Sequence, residues 1–188
     1  QTTDEVFSTT AKFEIWTEIS GVPRSKAIAV VQDQGGLLSK DPFAVSVTEL
    51  RAHPGKSTPE AVPEPYASRL VGTTRYWEVK DAIPPQFARL LPGKPVASNW
   101  YVMTDMEDGV YMHLEGALGF VSKRGIVVRG GDEEGGENVV LAHECVVECN
   151  RALMGIFKSQ FEEHWRSIQE QVAQAMGGCV VRHSGPVR

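Results

Sequence analysis

The sequence predicts an α+β fold, a curved antiparallel sheet wrapped around one long C-terminal helix with an internal cavity between them. Three observations predict it. From residue 97 to 149 the chain is a succession of short β-prone segments separated by turn residues. After Asn150 the apolar period changes to three and four, through Met154, Phe157, Phe161, Trp165, Ile168, Val172 and Met176. An antiparallel sheet with one face in water has one apolar face to cover, and this helix is the available cover.

The elements follow in order. Val6 to Ile19 alternates in part and reads as a first strand, broken at Gly21-Val22-Pro23. A short helix opens at Pro23 or Arg24, with Ala27, Ile28, Val30 and Val31 on its apolar side, and stops at Gly35-Gly36. Leu37 to Pro42 is a second short turn or helix, and Phe43 to Arg51 a second strand. Pro54 to Pro65 is a proline-rich loop, because proline lacks the donor a central strand needs. Thr73 to Asp81 is a third strand, and a second proline-rich loop carries Pro84, Pro85, Pro92 and Pro95. These two regions, 54–70 and 82–96, are read as loops near the cavity mouth and as candidates for a lid.

The meander then runs through Asn99–Thr104, a turn at Glu107-Asp108-Gly109, Val110–Leu118, and Phe120–Arg129 with Gly125 as a bulge or bend. Gly130 to Gly136 is a solvated loop, and Val139 to Cys149 the last strand. Asn150 is the expected N-cap of a helix of about 26 residues, and Gly177-Gly178 its stop.

The 188 residues fit one domain, taken as 1–178, with a flexible tail over 179–188. Nineteen basic residues against 24 acidic ones leave a net charge of −5, which argues against a nucleic-acid binder and a polybasic membrane anchor. No run approaches the ~18 apolar residues of a membrane span. Three cysteines make a poor disulfide framework, and the polar, acidic start Gln1 to Glu5 is unlike a signal peptide. The expected setting is cytoplasmic, and the expected state a monomer or homodimer.

Lys40-Asp41-Pro42-Phe43, Tyr76-Trp77-Glu78-Val79-Lys80-Asp81, and Glu148-Cys149-Asn150 followed by Leu153-Met154 and Phe157 carry a resemblance. Together with the order of elements, they resemble the START-like (SRPBCC) helix-grip superfamily, and within it a fungal group of START-like proteins. The resemblance implies a sheet gripping a helix around a ligand-sized cavity. It supplies no catalytic residues, since the superfamily has no shared catalytic set. Its members include lipid carriers, hormone receptors, polyketide cyclases and cofactor-free isomerases.

Parity in the last strand puts Val139, Leu141, His143, Cys145, Val147 and Cys149 on one face and both glutamates, Glu144 and Glu148, on the other. The first set should face inward. An inward His143 is neutral near pH 7 and suits proton transfer or hydrogen bonding to a carbonyl; the bland reading is a core histidine bonded to a neighbouring strand. Cys145 and Cys149 lie roughly 13 Å apart along a strand at about 3.3 Å per residue, too far to share one ion. His143 and Cys145 could share one with a third ligand, but no other residue has ligand spacing. The cysteines read as small hydrophobes, and no metal site is expected.

Tyr111, His113 and Glu115 share one face of their strand, either an inward acid–base set or a solvated outer face. Tyr101 and Met103 alternate with Trp100 and Val102 and carry the same ambiguity. Arg75, Trp77 and Val79 share a face; an inward Arg75 would mark a ligand carboxylate or polarised carbonyl, and an outward one a cross-strand pair. Trp77 reads as cavity lining. Met154, Phe157, Phe161, Trp165 and Ile168 form a core stripe that also supplies one cavity wall.

Two function classes follow. One is a cofactor-free enzyme that cyclises or isomerises a hydrophobic polyketide-, terpenoid- or alkaloid-like intermediate in secondary metabolism. In it His143 works as proton shuttle, with Tyr101, His113, Glu115 or Arg75 assisting. The other is a carrier or sensor of a lipid or hydrophobic metabolite. A filled core with function only on its surface is a third possibility. The partner is a hydrophobic small molecule in either of the first two cases.

Overall fold

The computed structural model describes residues 8–53, 61–83, 93 and 96–184, apart from the side chains of residues 156 and 159–163. Among them the elements run β1 (Ser8–Ser20), α1 (Arg24–Gln32), α2 (Gln34–Leu38), β2 (Ala44–Leu50), β3 (Arg75–Ala82) and β4 (Val96–Met106). There follow β5 (Gly109–Glu115), β6 (Val121–Gly130), β7 (Val139–Asn150), α3 (Arg151–Met176) and β8 (Cys179–His183). The strands form one antiparallel sheet in the order β2-β3-β4-β5-β6-β7-β1-β8.

Helix α3 covers the inner face of this sheet. Its stripe Met154, Trp165, Ile168, Val172 and Met176 is buried in one core with Ile15 and Ile19 of β1, Met112 and Leu114 of β5, and the odd residues of β7. Asn150 caps the helix through its side chain, which accepts from Ala152 N–H at 3.0 Å, and Gly177 ends it at φ +75°. Phe120 stands edge-on to Phe157 at 4.7 Å and ties the start of β6 to the first half of the helix.

The chain departs from the sequence expectations in several places. Gly35 and Gly36 do not stop a helix; they lie inside α2. Asp33 caps α2 by accepting from Gly36 N–H at 3.2 Å, and Gly35 sits under Trp77, where a Cβ would stand 2.9 Å from the indole. Gly125 is no bulge, since the β6–β7 register runs unbroken through it. Its bare Cα instead makes room for the ring of Tyr66, which would lie 2.4 Å from a Cβ there.

Residues 179–183, expected within a flexible tail, form β8 on the edge of the sheet beside β1. A buried polar knot holds them. Thr17 donates to Gln169 Oε1 on α3, and its oxygen lies 2.7 Å from His183 Nδ1. His183 in turn pairs with Glu170 at 3.3 Å.

The described part of the first proline-rich region is not at the mouth of the grip. Residues 61–72 lie across the outer face, where Val62, Tyr66 and Leu70 pack on Met106, Tyr111 and Val127. Leu70 bridges Met106, and Arg69 pairs with Asp108. The remaining expected loop positions, 54–60, 84–92, 94 and 95, lie outside the described residues.

Candidate ligand site on the inner face

Three side chains meet under the middle of α3. His143 of β7 is fully buried between Ile15 of β1 and Ile126 of β6 in the strand register. Its ring stands edge-on to Trp165, with centroids 4.0 Å apart and planes at 88°. Burial holds its pKa well below the ordinary histidine value, and the positive charge of Arg124 pushes the same way. The imidazole is therefore neutral at pH 7.

Arg124 is the third member. It sits on β6 between Met112 of β5 and Cys145 of β7, and is only 6% exposed. Its guanidinium carbon lies 4.7 Å from the centroid of the Trp165 ring, and its Nε donates to Ser122 Oγ at 2.7 Å. Among the described residues no carboxylate forms an ion pair with it. Burying an ion costs several kcal/mol even after relaxation. A cation–π contact returns about 0.5–2 kcal/mol and a hydrogen bond from a charged group about 1.5–3. The guanidinium is thus held, but incompletely compensated.

Further along the wall, Tyr101 of β4 is buried next to Leu114. Desolvation raises its phenol pKa, so it stays a neutral hydroxyl across the ordinary pH range. Asp81, at the end of β3, has the same inward parity. Asn99 donates to its Oδ2 at 2.5 Å, and Asn99 is fixed in turn by accepting from Ala117 N–H at 3.0 Å. Asp81 Oδ1 is buried and has no hydrogen-bond partner among the described residues. Burial first, and then the nearby Asp41, push its pKa up to about 6, against the Asn99 hydrogen bond. The wall so offers a neutral base, a neutral hydroxyl, a cation and a carboxyl group that takes up its proton as pH falls through about 6.

Cys145, Val79 and Met103 line the inner face, as do Met154 and Phe157 from the helix. Burial raises the Cys145 thiol, which keeps it protonated and inert. Phe161 falls in α3, but its side chain lies outside the described residues. Trp77 also faces inward, with its indole N–H donating to Gln34 Oε1 at 3.0 Å and its ring against Gly35, so it anchors α2. Arg75, at the start of β3, is exposed.

Tyr111, His113 and Glu115 lie on the outer face, opposite Met112 and Leu114. That face is not solvated there: Tyr111 and His113 are buried, and Tyr66 stacks at a tilt over Tyr111 at 5.5 Å. His113 Nε2 lies 3.4 Å from Glu115 Oε1. The sheet therefore separates these three residues from His143 and Tyr101.

Arg124 and Asp81 were not expected from the sequence. Ser122-Lys123-Arg124 places two cations on opposite faces, and only the strand register says which one turns inward. A signal was present in the shared parity of Arg124 with Ile126 and Val128. Among the described residues no group of three or more His, Cys, Asp and Glu side chains is placed to hold a metal ion. Nor is any described helix long and apolar enough to cross a membrane.

No curated protein matches the chain in sequence. Solved structures match its fold at low identity. A conserved protein from Geobacillus kaustophilus has a TM-score of 0.52 and 12% identity, covering 93% of this chain and 100% of that one. Norcoclaurine synthase from Thalictrum flavum, in complex with dopamine and hydroxybenzaldehyde, has a TM-score of 0.52 and 12% identity, covering 92% and 89%. The di-domain ARO/CYC StfQ from the steffimycin biosynthetic pathway has a TM-score of 0.53 and 7% identity, covering 92% of this chain and 51% of that one. These likenesses show the START-like helix-grip fold. The model of the family described as "Domain of unknown function (DUF7053)" matches residues 8–177, and the chain belongs to that family.

Proposed function

We propose that the protein binds a hydrophobic polyketide-, terpenoid- or alkaloid-like intermediate against the inner face of its sheet and catalyses its cyclisation or isomerisation without a cofactor. The observation that carries this reading is a fully buried, neutral His143 on the same wall as the Tyr101 hydroxyl, among apolar side chains. Such a wall holds one conformer of a bulky ligand and polarises a carbonyl, drawing on orientation more than on a nucleophile. His143 takes or returns a proton, and Tyr101 hydrogen-bonds the oxygen on which charge develops. The catalytic set narrows to these two, because Arg75 is exposed and Tyr111, His113 and Glu115 lie on the far face.

A synthase and an ARO/CYC protein with this fold support its compatibility with biosynthetic chemistry, at identities that carry no residue across. The fungal grouping, the cytoplasmic setting and the place in secondary metabolism belong to the same proposal. The second reading, a carrier or sensor, is favoured by the apolar bulk of the wall: Met103, Met112, Leu114, Ile126 and Met154.

The test is incubation of the pure protein with a small-molecule extract of its source organism, followed by mass-resolved chromatography. Conversion of a compound into a same-mass isomer supports the enzyme. A compound that co-purifies and is released unchanged supports the carrier. His143→Ala abolishes conversion while the fold is retained; turnover that survives it overturns the role of His143.

A further inference from the structure

Arg124 has no place in the proton chemistry above, yet the fold spends burial on it. The adjacent Lys123 turns to the outer face, where it is half-buried opposite His113, whereas Arg124 turns inward. Its environment there is Met112, Cys145 and Trp165, with the Ser122 hydroxyl taking Nε. The Cys145 sulfur, a weak acceptor, also takes a hydrogen bond from the guanidinium, and among the described residues no carboxylate pairs with it. The carboxyl group of Asp81 acts on Arg124 only through space, and its Oδ2 is already taken by Asn99.

We propose that Arg124 is the docking point for the carboxylate of an otherwise apolar or aromatic small molecule held between the sheet and α3. The planar guanidinium presents its terminal N–H groups as a fork that matches a carboxylate bidentately. The Ser122 bond fixes the rotation of that fork, and the Trp165 ring supports one of its faces. Met112 and Cys145 on either side are suited to the hydrocarbon body of the ligand rather than to further charge. The inference rests on the reading of the inner face as a small-molecule site and names the acid function its ligand carries.

Paired probes test it: 2-naphthoic acid against methyl 2-naphthoate, and decanoic acid against methyl decanoate, titrated by calorimetry into the full chain. Each acid is expected to bind at least about tenfold more tightly than its ester. Arg124→Met is expected to retain the ester affinity and lose that preference, whereas Lys123→Met, one residue away on the opposite face, retains it. Equal binding of acid and ester by the unaltered protein overturns the inference while leaving the small-molecule site intact, and needs no variant to fold. A preference that persists in Arg124→Met overturns it by locating the anion elsewhere. Failure of all four probes to bind at millimolar concentration overturns both the inference and the reading beneath it.

Discussion

Tyr66 donates its hydroxyl proton to Glu144 Oε2 at 2.8 Å while its ring fills the space over Gly125. Tyr111, Gly125 and Glu144 stand in one row across β5, β6 and β7, so Tyr66 spans three strands at once. Gly125→Ala puts a methyl group into that ring and is expected to destabilise the protein by about 1–3 kcal/mol, the usual cost of overpacking. Thermal denaturation reads the loss, and limited proteolysis within residues 61–72 should accelerate. Tyr66→Phe keeps the ring and is expected to cost only about 0.5–1.5 kcal/mol, because Glu144 retains Arg129 at 2.5 Å. An unchanged melting temperature in Gly125→Ala would show that the segment is held elsewhere.

What the sequence makes legible here is local pattern. Both glutamates of β7 fall on one parity, which turns His143 inward, and the helix stripe with Asn150 and Gly177 marks α3 nearly to the residue. What stays illegible depends on distant partners. All but the last residue of β5 are buried, on both faces, because residues 61–72 return over it; no alternation can announce that cover. The inward turn of Arg124 is likewise a matter of register against β5 and β7. Cys179 to His183 carries little apolar pattern of its own and owes its place to Thr17 and α3.

Thr17 is the centre of that attachment. Thr17→Val preserves shape but removes the hydroxyl that serves both Gln169 and His183, leaving the buried Gln169 oxygen without its donor. The expected cost is about 1–3 kcal/mol. Hydrogen exchange should show the amides of 179–183 losing protection before those of β1 and β7. Protection unchanged at 179–183 would mean that backbone pairing with β1 suffices.

Asp81 should impose a pH dependence of a definite sign. Its carboxyl group titrates near its ordinary value of 3.8 in the unfolded chain and at about 6 in the folded one. Between those values the unfolded state sheds its proton first, so this group costs stability as pH rises from 4 to 6 and the cost then stays constant. Asp81→Asn keeps a side-chain oxygen that can accept from Asn99 and cannot ionise. Its melting temperature relative to the unaltered protein is expected to climb across that window and level off above it. A difference that does not vary with pH would show that Asp81 ionises as freely in the fold as outside it.

His143 should act with the opposite sign. Its folded pKa lies well below the ordinary 6.5, so below that value the unfolded chain takes up a proton that the buried ring refuses. Stability from this group is therefore complete above pH 7 and is lost as pH falls toward its folded pKa. His143→Leu removes the dependence while keeping an apolar contact for Trp165, whose ring faces the imidazole at 4.0 Å. Relative to the unaltered protein, the variant should gain stability as pH drops from 7 to 5, whereas Asp81→Asn gains as pH rises from 4 to 6. Because the two windows overlap, the unaltered protein should vary less between pH 5 and 6 than either variant does. Thermal melts of the three proteins at half-unit pH steps check this, and slopes of the same sign in both variants would refute the opposed electrostatics of the inner wall.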